Sequence, residues 1–358
     1  MDPARHRELR VAPPGPDEEA LRNSYLSLLA LALCDLAGAS TMSVDRRFGG
    51  GVYSRELAPE ELEKRIAGRD WPLQALSMVG LRRLTDLRSC VETVVRDGVP
   101  GDLVEAGCWR GGASILIRAT LDSLGADDRT LFVADSFTGF PMPDPGAYPE
   151  DSGLEELSTH DFLATPIDEV RRNFARFGVE RGVELVPGFF DETLPDLRGR
   201  RWALVRLDGD TYEATKLALE SLYPGLAAGG YLILDDYMLV EECQRAVAEF
   251  REAHGIEEPI EEVDGTGARW RRESERPVEV TEPPQARRRD PRTRVASRLP
   301  WVRVPTLPEI ELEFQAGVLR HRLRLAKAEI DALRAGEEPP EPGPAPLDPA
   351  PQPRPEDG

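Results

Sequence analysis

Along the middle of the chain, short apolar runs alternate with segments whose apolar residues fall three and four apart. The runs at 103–106, 131–134, 183–186, 203–207 and 231–234 predict strands, and the segments at 113–124, 151–177, 214–222 and 241–253 predict helices. Strands alternating with helices predict an α/β fold, a doubly wound and mostly parallel sheet of the Rossmann-like kind. Ahead of it, 19–37 reads as a helix apolar on more than one face, and 59–67 and 73–97 as helices separated by Asp70-Trp71-Pro72. The glycine-rich connection 38–59, which includes Tyr53, suits a lid over a site or an ordinary surface loop. The expected organisation is a polar tail over 1–18, helices and lid over 19–100, the α/β domain over 101–272, and an extension.

Within the extension, 273–308 is rich in Pro and Arg and reads as a flexible linker. Over 309–335, Leu312, Ala316, Leu319, Leu323, Ala326, Ile330 and Leu333 alternate four and three apart, the spacing of a heptad seam. The seam predicts either a homo-oligomer joined through this helix or an amphipathic helix docked on its own protomer. The Pro- and Glu-rich tail 336–358 is expected to be disordered.

Two of the strand runs, 203–207 and 231–234, are each followed by a pair of aspartates: Asp208 and Asp210, then Asp235 and Asp236. The helical segment between them makes one strand–helix–strand unit, whose parallel strands end on the same edge of the sheet. Open α/β sheets bind ligands along that edge. Read singly, each aspartate serves equally well as a helix N-cap or a solvated loop residue. Read together, four carboxylates repel one another and lose solvation unless a positive partner joins them. A hard divalent cation with oxygen ligands is the simple remedy, and Mg²⁺ suits it.

The first strand run leads through Glu105, Gly107, Cys108 and Trp109 to Gly111-Gly112 and a helix, a turn that lets backbone approach a ligand closely. One strand–helix–strand unit later stands Asp135, followed by Ser136, where an acidic side chain takes a ribose diol. No GxxxxGK[ST] phosphate signature occurs, and Glu105 beside the turn disfavours a pyrophosphate. A nucleoside carrying a positive centre fits best, which points to S-adenosylmethionine.

The stretches RDWPLQALSMVGLRRLTDL (69–87), GDLVEAGCWRGGASILIRATL (101–121), VADSFTGFP (133–141), GFFDETLP (188–195), LDGDTYEATKLALESLYPGL (207–226) and GGYLILDDY (229–237) resemble the macrocin O-methyltransferase family over roughly residues 24–272. The resemblance implies a Mg²⁺- and S-adenosylmethionine-dependent transfer of a methyl group to a sugar hydroxyl on a glycosylated natural product. It implies Asp208, Asp235 and Asp236 as metal ligands and Asp210 as general base. It further implies that Ser77, Met78, Glu105, Gly107, Trp109, Asp135, Ser136, Gly188 and Phe189 line the cofactor. Phe189-Phe190 stands where the family has Trp-Phe, and Pro166 where the family has a serine, so a serine hydroxyl contact cannot arise there.

Composition narrows the classes. A chain of 358 residues buries one large α/β core with terminal material left over. A formal charge of −20 argues against a nucleic-acid partner. The four cysteines, Cys34, Cys90, Cys108 and Cys243, form no CxxC pair or disulfide framework, which fits a reducing cytoplasm, and the four histidines are too dispersed for a zinc site. No export signal is visible, and the longest apolar stretch, 25–39, is short for a bilayer and carries Asp35, so no membrane partner is expected. Three other readings stay open: a phenol or catechol O-methyltransferase, a non-catalytic binding protein on the same fold, and a metal-dependent hydrolase.

Overall fold

Asp17 starts the first helix: its side chain accepts from the Ala20 amide at 2.8 Å, and Glu18 and Glu19 occupy the first turn, where the helix dipole favours negative charge. The computed structural model describes residue 11 and residues 17–37, 41–45, 51–55, 57–70, 72, 74–144, 146–154, 158 and 160–280. The expected linker from residue 281 on, the heptad helix at 309–335 and the tail at 336–358 lie outside the described residues, as does most of 1–18.

Among the described residues, 43–45 and 51–53 group apart from the compact unit formed by the others. In chain order the elements are α1 (Glu18–Leu33), β1 (Thr41–Asp45), β2 (Gly51–Arg55), α2 (Pro59–Ile66), α3 (Leu81–Arg96), β3 (Asp102–Ala106), α4 (Gly112–Ser123), β4 (Leu131–Asp135), α5 (Ile167–Phe177), β5 (Val183–Pro187) and α6 (Phe190–Thr193). There follow β6 (Trp202–Leu207), α7 (Tyr212–Leu222), β7 (Leu226–Leu234), α8 (Glu241–His254), β8 (Glu261–Glu262) and β9 (Ala268–Arg271).

Strands β1 and β2 pair in a sheet of their own. The glycine-rich connection expected at 38–59 therefore contains two strands; Thr41, Val44, Val52 and Tyr53 are residue types that favour extended backbone. Two helices are shorter than the apolar spacing predicts. The helix expected over 73–97 begins at Leu81, after Gly80 at φ +87°, a left-handed conformation that a helix cannot continue through. The helical region expected over 151–177 keeps an α-helix only from Ile167, immediately after Pro166; before it stand single 3₁₀ turns at Pro149–Asp151 and Asp161–Leu163.

The larger sheet has the order β5-β4-β3-β6-β7-β9-β8; its first five strands are parallel, and β9 pairs antiparallel with both β7 and β8. Its side chains alternate between two cores. Leu103, Leu131, Val133, Leu204 and Ile233 pack with α1, α3 and α4, while Val104, Phe132, Val205, Leu232 and Leu234 pack with α7 and α8. Trp202 and Phe132 meet edge to face on the second side, with ring centroids 5.4 Å apart. From β3 the chain winds outward to β4 and β5, then returns to place β6 on the other side of β3. The switch of direction lies between β3 and β6, and a crevice opens beyond their C-terminal ends.

Candidate active site

Backbone hydrogen bonds continue past the strand ends and set the site residues in a row. The Gly188 amide donates to the Asp135 carbonyl at 2.9 Å, Gly107 to Ala134 at 2.8 Å, Asp208 to Ala106 at 2.9 Å and Asp235 to Leu207 at 2.9 Å. Residues distant in sequence thereby line one edge across β5, β4, β3, β6 and β7.

On the β6 and β7 side, one carboxylate oxygen from each of Asp208, Asp210 and Asp236 lies within 4.8 Å of the others. Asp210 holds φ at +55°, a left-handed turn that aspartate tolerates better than most residues and that is typical of functional sites. Asp235 sits behind this trio between two guanidiniums: Arg206 Nη2 donates to its Oδ1 at 2.5 Å, and Arg83 Nη1 donates to its Oδ2. Arg83 also reaches Asp264 at 3.2 Å. The family resemblance groups Asp208, Asp235 and Asp236; in space Asp210 stands with Asp208 and Asp236, and Asp235 with the arginines.

The electrostatics follow from crowding inside a crevice. The trio opens onto the cavity rather than onto bulk water, so each carboxylate is desolvated while keeping some accessible surface. Burial raises Asp210 to about 6; a hydrogen bond with Asp236 opposes the rise, and the charge of Asp235 adds to it. Burial likewise pushes Asp208 and Asp236 well above the usual carboxylate range, helped by their acidic neighbours. Desolvation acts to lower Arg206, but Asp235, Asp208 and Glu105 outweigh it and hold the guanidinium well above its ordinary value. Two guanidiniums face Glu105, Asp208, Asp210, Asp235, Asp236 and Asp264, which leaves negative charge in excess. An all-oxygen donor set with surplus negative charge fits a hard divalent cation.

On the β3 and β4 side, Asp135 folds the turn after β3. Its Oδ2 accepts from the Cys108 amide at 2.8 Å and the Trp109 amide at 3.3 Å, and its Oδ1 from the Phe137 amide at 2.8 Å. The carboxylate expected to face a ribose thus has backbone partners on both oxygens: Oδ2 is filled by two amides and Oδ1 keeps a further lone pair. Ser136 Oγ donates to the Gly139 carbonyl at 2.7 Å. Trp109 Nε1 donates to the Phe162 carbonyl at 2.9 Å, with the Arg110 guanidinium 4.3 Å over the indole. Glu105, a bare charge beside the turn in the sequence pattern, is fully buried and accepts from Arg206 and from Ser114 Oγ. Burial raises its pKa against the pull of Arg206 and Ser114.

Both halves open on one cavity of about 550 Å³. Every site residue expected from sequence lines it except Gly188, which neighbours the lining residue Phe189. Phe140, Pro141, Leu163, Leu239 and Val240 supply an apolar wall. Arg83 and Arg206 were absent from the sequence-based set. Arg206 did leave a signal, a cation inside the apolar run ALVRL two places before Asp208, where strand alternation puts both on one face. Arg83 left none, because it reaches Asp235 from α3 across 152 residues.

A doubly wound sheet with this glycine turn and these acidic strand ends at its switch point is the architecture of Rossmann-like methyltransferases, and the chain is an O-methyltransferase. It belongs to the macrocin-O-methyltransferase (TylF) family, whose sequence profile matches residues 41–272. It is 44% identical over 254 residues to the 8-demethyl-8-(2,3-dimethoxy-alpha-L-rhamnosyl)-tetracenomycin-C 4'-O-methyltransferase of Streptomyces olivaceus, covering 71% of this chain and 94% of that one. It is also 44% identical over 216 residues to the mycinamicin III 3''-O-methyltransferase of Micromonospora griseorubida, covering 59% of this chain and 84% of that one. The solved structure of the O-methyltransferase NovP superposes with a TM-score of 0.64 at 38% identity, covering 71% of this chain and all of that one. Among the described residues, no helix is long and apolar enough to cross a membrane.

Proposed function

We propose that the chain transfers a methyl group from S-adenosylmethionine to a hydroxyl of a sugar carried by a glycosylated natural product, with Mg²⁺ as metal cofactor. The observation that carries this reading is that the glycine turn after β3 and the acidic cluster after β6 and β7 open on one cavity. The acceptor class follows the relatives, one of which is named for a rhamnosyl substrate.

In this proposal the turn at Glu105, Gly107 and Trp109, with Ser77, Met78, Asp135, Ser136, Gly188 and Phe189, holds the cofactor. Asp208, Asp235 and Asp236 hold the metal, whose contribution when bound is Lewis acidity towards the acceptor's hydroxyl. Environment divides the two remaining choices for third ligand. Asp235 is fixed by two guanidiniums, as suits a ligand of set orientation, whereas Asp210, raised to about 6, suits a proton acceptor near neutral pH. Asp210 takes the hydroxyl's proton as that oxygen bonds to the methyl carbon and the sulfonium bond breaks. The apolar wall of Phe140, Pro141, Leu163, Leu239 and Val240 excludes water and receives the less polar part of the acceptor. The reading also keeps a homo-oligomer joined through 309–335, tested by light scattering after truncation before residue 305. Free, buried cysteines fit a cytoplasmic enzyme.

Labelled S-adenosylmethionine offered with a panel of glycosylated and phenolic acceptors, with and without chelator, tests the proposal. Label on a sugar, lost in EDTA and restored by Mg²⁺, is expected; label on a phenol, or turnover indifferent to chelation, overturns the corresponding part.

A further inference from the structure

Arg206 is 1% exposed and stands on β6 two residues before Asp208, so both side chains leave the strand on one face. Its register partner across the sheet is Glu105 on β3. Nη1 donates to Glu105 Oε1 at 2.6 Å, while Nη2 donates to Asp208 Oδ2 at 2.9 Å and to Asp235 Oδ1 at 2.5 Å. Glu105 is steadied in turn by Ser114 Oγ from α4. One planar guanidinium therefore joins carboxylates from three adjacent strands, β3, β6 and β7, which an ammonium on a flexible stem does poorly.

Compensating the buried Glu105 calls for a cation here, but not for one guanidinium shared among three carboxylates. A buried ion pair adds little over well-packed apolar side chains, because desolvation offsets the attraction. A positive charge beside a cation site also repels the incoming ion. What Arg206 supplies is orientation: its Nη2 holds one oxygen each of Asp208 and Asp235, and with Arg83 on the other oxygen of Asp235 both carboxylates lose their freedom to rotate. We propose that Arg206 is the positioning residue of the cation site, presenting Asp208 and Asp235 from a base anchored on Glu105. The inference rests on the cation reading above and adds to it the residue that sets the geometry.

Mn²⁺ binding followed by electron paramagnetic resonance, without turnover, tests it. Arg206→Lys keeps the charge and loses the fork, so any change reports positioning. The Mn²⁺ dissociation constant should rise about tenfold or more, with S-adenosylhomocysteine affinity, by calorimetry, within about threefold of the unchanged chain. The double variant Arg206→Met with Glu105→Gln removes one charge of each sign, and it should lose Mn²⁺ affinity similarly while its thermal unfolding stays cooperative. Either variant, folded, with Mn²⁺ affinity within twofold of the unchanged chain overturns the proposal. An unchanged chain that binds no Mn²⁺ overturns the cation reading itself, a result distinct from failure of the variants.

Discussion

The backbone carbonyl oxygen of Asp208 lies 1.8 Å from the place a β-carbon on Gly107 would occupy. The glycine turn after β3 and the acidic cluster are therefore in backbone contact, and at φ +91° Gly107 also adopts a conformation that side chains resist. Gly107→Ala should displace Asp208 as well as strain the turn. The strain alone is about 1–3 kcal/mol, enough to lower the melting temperature by several degrees in a domain of this size. Calorimetry should show weakened binding of both S-adenosylhomocysteine and Mn²⁺. Loss of only one would mean that the two halves are not joined here.

Asp210→Asn removes the proposed proton acceptor while keeping the size of the side chain. Turnover should fall by about 10²- to 10⁴-fold, the usual range for loss of a general base. S-Adenosylhomocysteine affinity should stay within about twofold. Near-normal turnover would move the base elsewhere.

The raised carboxylates make a signed prediction for the metal-free protein. Burial lifts Asp210 to about 6, and Asp208 and Asp236 rise well above the carboxylate range. Between the unfolded value near ~4 and the folded one, the native state binds more protons than the unfolded chain. These groups therefore contribute stability at low pH that is lost as pH rises, over roughly pH 4 to 6 for Asp210 and further for its neighbours. Added Mg²⁺ should raise the melting temperature of dialysed protein more at pH 8 than at pH 5, where protons compete for the same oxygens. A shift independent of pH would argue that the ion binds elsewhere.

Asp151 ties the loop after β4 to the helix that follows Asp210. Its buried carboxylate accepts from the Tyr212 amide at 2.7 Å and the Glu213 amide at 3.1 Å, while Thr211 caps the same helix through Ala214 at 3.1 Å. Asp151→Ala should lower stability by about 1–2 kcal/mol, the range for a lost N-cap. Because the turn carrying Asp210 starts this helix, the turnover number should fall more than S-adenosylhomocysteine affinity. Unaltered kinetics in a destabilised variant would confine Asp151 to the fold.

The reach of the sequence is plain in particular elements. Each predicted strand of the parallel sheet formed, because strands buried on both faces, as β3, β4, β6 and β7 are, read as near-continuous apolar runs, and that is a local property. Strand β7 begins at Leu226, five residues before the predicted run, since Ala227, Ala228, Gly229 and Gly230 carry no strand signal of their own. Strands β8 and β9 were not predicted; β9 reads ARWR, and only pairing with β7 shows Ala268 and Trp270 turned inward.

At the site, the sequence by itself determined which residues reach the ligand edge. Parallel strands joined by helices end on one side, so Gly107, Asp135, Asp208, Asp235 and Asp236 had to gather there. Tertiary structure alone decided how their charges are shared. It turned Asp210 towards Asp208 and Asp236, and it set Asp235 between an arginine from its neighbouring strand and one from a helix far upstream. Ion pairing depends on distance and desolvation, and neither is written in the order of the residues.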